Sequence, residues 1–125
     1  YRQALGYKDV DTGCFGSHKD IFPTLFNASL SEAKYFNTGD NLLSSHPGED
    51  RLAIYGQTCF MGPQGCVLLD NNENKFFVWK DDFKTKLKAI DKSPTGLITL
   101  KERGVLQVTA VKVALQQELS EAKLR

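Results

Sequence analysis

The stretch TCFMGPQGC, Thr58 to Cys66, decides how the chain is read, because two cysteines stand symmetrically about a Gly-Pro pair. If Val67–Asp70 pairs back on Ile54–Thr58 around the Gly62-Pro63 centre, Cys59 falls opposite Cys66. Cross-strand neighbours bring their Cβ atoms to roughly 4.5–5.5 Å, near the separation a disulfide requires. The spacing therefore predicts a β-hairpin stapled by Cys59–Cys66. A loop this short removes about 2–3 kcal/mol of unfolded-state entropy in the chain-entropy model, so the bond would chiefly fix register and rigidify one tip.

Two other uses of the thiols are weaker on chemical grounds. Redox-catalytic pairs favour the tighter Cys-x-x-Cys spacing at a helix start, where the dipole lowers a thiol pKa. Structural zinc wants four ligands, and the candidates Cys14, His18, His46, Cys59 and Cys66 show no knuckle spacing. A disulfide implies an oxidising compartment, so the expected address is extracytoplasmic: periplasm, cell surface or secretion. Cys14 is then the odd thiol, either buried, reactive or paired with another chain. The chain opens at Tyr1 with neither an apolar leader nor a spanning run, so an export signal, anchor or neighbouring domain is expected to have been removed, and membrane contact is expected only through such an anchor. Asn27-Ala28-Ser29 is a glycosylation sequon, meaningful only in a eukaryotic secreted chain.

On the C-terminal side of the hairpin the pattern is mostly strand. CVLLD and KFFVWK are short apolar runs separated by the polar turn NNEN. In FKTKLKA, Phe83, Thr85, Leu87 and Ala89 alternate with Lys84, Lys86 and Lys88, which predicts a half-buried strand with a lysine face. GLITL and VLQVTAVKV flank KERG and read as a further hairpin with Gly104 at the turn. The tail is ambiguous, since Val108, Val111, Leu115, Leu119 and Ala122 recur at helical spacing while the β-branched residues from Val105 to Val113 favour strand. Strand to about Val113 and helix beyond it is the expectation.

On the N-terminal side, RLAIYGQTCF places Leu52, Ile54 and Phe60 in one phase and Ala53, Tyr55 and Cys59 in the other. Residues 1–26 read as turns and a packed edge around IFPTLF. Ser29 followed by Glu32 has capping-box spacing, which predicts a short helix from Leu30 to Asn37. The connecting loop NLLSSHPGED carries Leu42 and Leu43 as an apolar plug. The expected fold is α+β: one compact domain over residues 1–125, mainly an antiparallel β-meander, with one short helix before the sheet and a C-terminal helix.

A chain of 125 residues, 41% hydrophobic and 25% charged, suffices for one core. A formal net charge of +1 offers no overall field for polyanions, so nucleic acid is not an expected partner. The local lysine bias at Lys84, Lys86 and Lys88 reads first as a solvated edge strand that discourages pairing, and as function would be a patch for an anionic protein or lipid headgroup. The best catalytic constellation is Cys14 with His18 or His46 as thiol and base, and it lacks a recognisable oxyanion element. No cofactor is called for. The leading expectation is a non-enzymatic binding or sensing module that recognises a protein partner or a small apolar ligand, with Tyr35, Phe36 and Trp79 lining the ligand pocket. It would be the soluble part of a membrane-anchored accessory or regulatory protein. The alternatives are a small thiol or zinc hydrolase using Cys14, His18 and His46, and a structural subunit of a surface fibre or secretion assembly.

Overall fold

The computed structural model describes residues 15–29, 33–44, 51–71 and 73–124. One turn of 3-10 helix, His18–Asp20, leads into α1 (Ile21–Ala28). Five strands follow, β1 (Ala53–Tyr55), β2 (Cys59–Gly62), β3 (Gly65–Leu68), β4 (Lys75–Trp79) and β5 (Leu87–Ile90), and the chain closes with the long α2 (Thr95–Leu124). The strands form one antiparallel sheet in the order β1-β2-β3-β4-β5. This is the α+β meander with a helix at each end that the sequence predicts.

The face of the sheet toward α2 holds the core. Ile54, Phe60, Val67, Phe76 and Ile90 form one cross-strand row, each paired with the next. Phe60 and Val67 are completely buried, and with Leu52 they close against Leu97 and Leu100 of α2. The opposite face carries the row Ala53, Met61, Cys66, Phe77 and Ala89. RLAIYGQTCF is not one strand: Gly56, at φ +62, turns it into the β1–β2 hairpin. Three residues separate Tyr55 from its partner Cys59, so the fold-back preserves phase, and Leu52, Ile54 and Phe60 still share a face.

Three local expectations are corrected. The short helix covers Ile21–Ala28 rather than Leu30–Asn37, and residues 33–37 are irregular. Pro23 sits in the first turn of α1, where its missing N–H is not needed. Ser29 does not open a helix but ends one, donating from its N–H to the carbonyl of Leu25 and from its hydroxyl to that of Phe26. Residues 30–32, with the Glu32 half of the expected capping box, lie outside the described residues.

The expected hairpin around KERG is instead the middle of α2, which runs unbroken through the β-branched stretch from Val105 to Val113. Pro94 accepts the first helical bonds, from the N–H groups of Leu97 and Ile98. The hydroxyls of Thr99 and Thr109 donate to carbonyls four residues back, so neither competes with the helix. Burial decides the outcome. Leu97, Leu100, Gly104 and Val108 recur every three to four residues on the core side, which outweighs a propensity penalty of about 0.5 kcal/mol per β-branched residue. Gly104 thus serves close packing rather than a turn.

The strand expected from FKTKLKA begins only at Leu87, because Lys84 adopts φ 55 and the 81–86 segment closes as a turn. Asp81 organises it, its carboxylate accepting from the N–H and hydroxyl of Thr85 and the N–H of Lys86. Phe83 is left almost fully exposed, and Leu87 and Ala89 are exposed as well, so the anticipated buried side is not buried. Lys88 pairs with Val78 and shares the face of Ile90 on the edge strand.

Candidate functional site

The β2–β3 hairpin turns at Pro63-Gln64, with Gly62 opposite Gly65. Gly65 has φ +145, and a side chain there would overlap the carbonyl oxygen of Phe77 in β4. The turn centre therefore lies one residue beyond the expected Gly62-Pro63 pair, and the register moves by two. Cys59 faces Leu68 and Cys66 faces Met61, so the two cysteines are diagonal neighbours on one face rather than direct partners. Their sulfurs lie 3.6 Å apart as free thiols. Cys59 is half-buried; Cys66 is 4% exposed. Burial, then the hydrogen bond with Cys59 and its nearby charge, push the Cys66 thiol up to about 12. At neutral pH it is a protonated, weakly nucleophilic thiol.

The aromatic residues expected to line one pocket belong to separate groups. Tyr35 packs against α1, its ring 4.1 Å from that of Phe26 and 5.3 Å edge-on from that of Phe22. Phe36 is about half exposed. Trp79 lies at the other end of β4, where its indole N–H donates to the carbonyl of Gly62 at 2.9 Å and its ring meets Phe15 at 6.0 Å. Of the lysines, Lys84 holds its ammonium 5.4 Å over the Phe15 ring, and Lys86 contributes backbone bonds to the β4–β5 turn.

A cleft between the N-terminal segment and α2 gathers Asp20, Asp40, Arg51 and Arg103. The Arg51 guanidinium donates to the carbonyls of Asn41, Leu42 and Ser44 and thereby fixes that loop. Asp20 is buried, and its carboxylate accepts from the N–H of Ser17 at 2.6 Å, the N–H of Asp40 at 2.9 Å and the ammonium of Lys19 at 2.8 Å. Ser17 in turn accepts the N–H of Ile54 through its hydroxyl at 2.6 Å, tying the segment to the outer edge of β1. Asp20 and Arg51 are thus engaged in holding residues 15–29 and 33–44 together.

His18 begins the 3-10 turn and is exposed. Cys14 and His46, its expected companions in a hydrolase site, lie outside the described residues. Among the described residues, no three His, Cys, Asp or Glu side chains converge as a metal-ligand set.

The feature least visible in the sequence reading is where α2 outruns the sheet. A 30-residue helix is about 45 Å long, whereas strands of four or five residues span roughly 15 Å. The stripe that packs on the core as Leu97, Leu100, Gly104 and Val108 continues as Val111, Leu115, Leu119 and Ala122, where Leu115 is 43% and Leu119 is 62% exposed. A second apolar surface lies on α1, where Ile21, Phe22 and Leu25 face solvent. The helical spacing of the first stripe was readable; the place where its support ends was not. No family model, curated protein or solved structure matches the chain.

Proposed function

We propose that the chain is a non-enzymatic binding module that takes a protein partner along the outer half of α2. The observation that carries this reading is the continuation of the core stripe past the edge of its own sheet, through Val111, Leu115 and Leu119. An apolar stripe at three- and four-residue spacing on a rigid helix suits a partner that offers a hydrophobic groove or a second helix. Its near end is anchored by Leu97 and Leu100, so the stripe is presented already ordered and binding costs little further entropy.

A photo-crosslinking amino acid placed at Leu119 in the native cell tests the partner surface, with Gln117 on the opposite side of the helix as control. Discrete products from position 119 and none from 117 are expected. Equal yields, or no product from 119, would refute the reading. If the partner is a second copy, sedimentation at rising concentration will show a dimer that Leu115→Glu disperses, which favours the assembly-subunit alternative.

A further inference from the structure

Three sulfur side chains share one face of the β2–β3 hairpin. Cys59 and Met61 lie two residues apart on β2 and therefore point the same way, and Met61 stands directly opposite Cys66 on β3. Cys66 is thus the cross-strand partner of the thioether and the diagonal partner of the other thiol. The two Sγ atoms are 3.6 Å apart.

That separation is poorly matched to a disulfide and well matched to a shared ion. Diagonal positions hold their Cα atoms roughly 7–8 Å apart, beyond the usual 4.4–6.8 Å span of a disulfide. Two thiolates bound to one ion by bonds of about 2.3 Å lie roughly 4 Å apart, so only a small side-chain adjustment is needed. The frame is rigid, because Phe60 and Val67, which alternate with these residues, are fully buried on the other face. Its cross-strand neighbours are mostly apolar: Met61 also pairs with Ala53, Cys59 with Leu68 and the exposed Tyr55, and Cys66 with Phe77, while Met61 borders a cleft that also holds Ser17 and His18.

We propose that Cys59, Met61 and Cys66 form a three-sulfur site for a soft monovalent cation, Cu(I). Thiolate and thioether donors are the soft ligands that select Cu(I), whereas structural zinc takes four ligands, commonly including imidazole. On binding, two S–H bonds break and two Cu–S bonds form, the two protons pass to water, and the Met61 thioether adds its lone pair. No electron is transferred. Both cysteines bind as thiolates, so ion binding and proton release are linked. The site belongs to the dithiol form of the hairpin and does not depend on the partner surface of α2.

The test is an anaerobic titration of the full, reduced chain with Cu(I) buffered by a chromophoric chelator, repeated with Ag(I) as a redox-inert probe. One ion per chain is expected, with apparent affinity rising up to about 100-fold per pH unit near neutrality because two protons leave. Cys59→Ser should abolish binding, Met61→Leu should weaken it about tenfold with the fold intact, and Cys14→Ser should leave it unchanged. Cys66→Ser places a hydroxyl in a buried position, so Cys59→Ser and Met61→Leu, checked by circular dichroism, carry the decision. Wild-type affinity in either variant, loss of binding in Cys14→Ser, or equally tight Zn(II) binding would overturn the proposal.

Discussion

Gly104 of α2 lies against the ring of Phe60 in β2 so closely that a Cβ on the glycine would overlap the ring's Cγ and Cδ1 atoms. This contact lets a long helix settle onto a short sheet, because only a residue without a side chain brings the α2 backbone down to the aromatic ring. Alanine at 104 would gain about 1 kcal/mol of helix propensity, yet overpacking a filled core costs about 1–3 kcal/mol. Gly104→Ala should therefore be destabilising, and Gly104→Val more so, as read from the urea midpoint. A more stable Gly104→Ala protein would mean that the ring can move aside.

Asp20 is the knot of the N-terminal segment, and the segment should loosen without the sheet. Asp20→Ala leaves the N–H groups of Ser17 and Asp40 without their acceptor, a local cost of about 1–3 kcal/mol. Hydrogen exchange should accelerate across residues 15–29 and 33–44 while β2, β3 and β4 keep their protection. Uniform acceleration through the sheet would show the two parts to be one cooperative unit.

The buried thiol of Cys66 sets an alkaline limit to stability. Its pKa is raised on folding, so between about 9 and about 12 the unfolded chain releases a proton that the folded chain retains. The folded state then binds more protons, and stability falls as pH rises, by up to about 1.4 kcal/mol per pH unit, while below pH 9 the contribution is fully present. Lysines and tyrosines titrate in the same window, so the measurable quantity is the difference from Cys66→Ala, which should show a shallower alkaline decline. Parallel curves for the two proteins would contradict this.

Asp81 gives the opposite dependence. The hydrogen bond from the Thr85 hydroxyl, with backbone N–H groups of Thr85 and Lys86, holds its carboxyl below the ordinary 3.8. A group depressed on folding contributes above its ordinary value and loses that contribution as pH falls through the folded one. The amide resonances of Thr85 and Lys86 should therefore shift together in acid, below the range of an ordinary aspartate, and Asp81→Asn should abolish that shared step. Separate midpoints would indicate that the two amides sense different groups.

The meander, the hairpin at 59–66 and the helical spacing from Val108 to Ala122 could be read from the sequence because each is written in local periodicity. The rest depended on competition between local signals and distant partners. The stretch from Val105 to Val113 reads as strand by composition, and only the burial of Leu97, Leu100 and Gly104 on Phe60 explains why it is helix. Ser29 suits the end of one helix as well as the start of another, and its bonds to Leu25 and Phe26 decide between them. The sulfur cluster was half legible: the pair was visible, but Met61 entered only when Gly62 and Gly65 set the turn and moved Cys66 opposite it.

The sheet's strict neighbour-to-neighbour order has a consequence for how the molecule is made. Every strand pairs with the one before it across a short loop, so the meander closes at small entropic cost as it leaves the ribosome. Its apolar side nevertheless waits for Leu97 and Leu100, which are synthesised after every strand. A nascent chain stalled before residue 95 would present Phe60, Val67 and Phe76 uncovered, and that interval is when the protein is most exposed to capture by a chaperone or by another copy of itself.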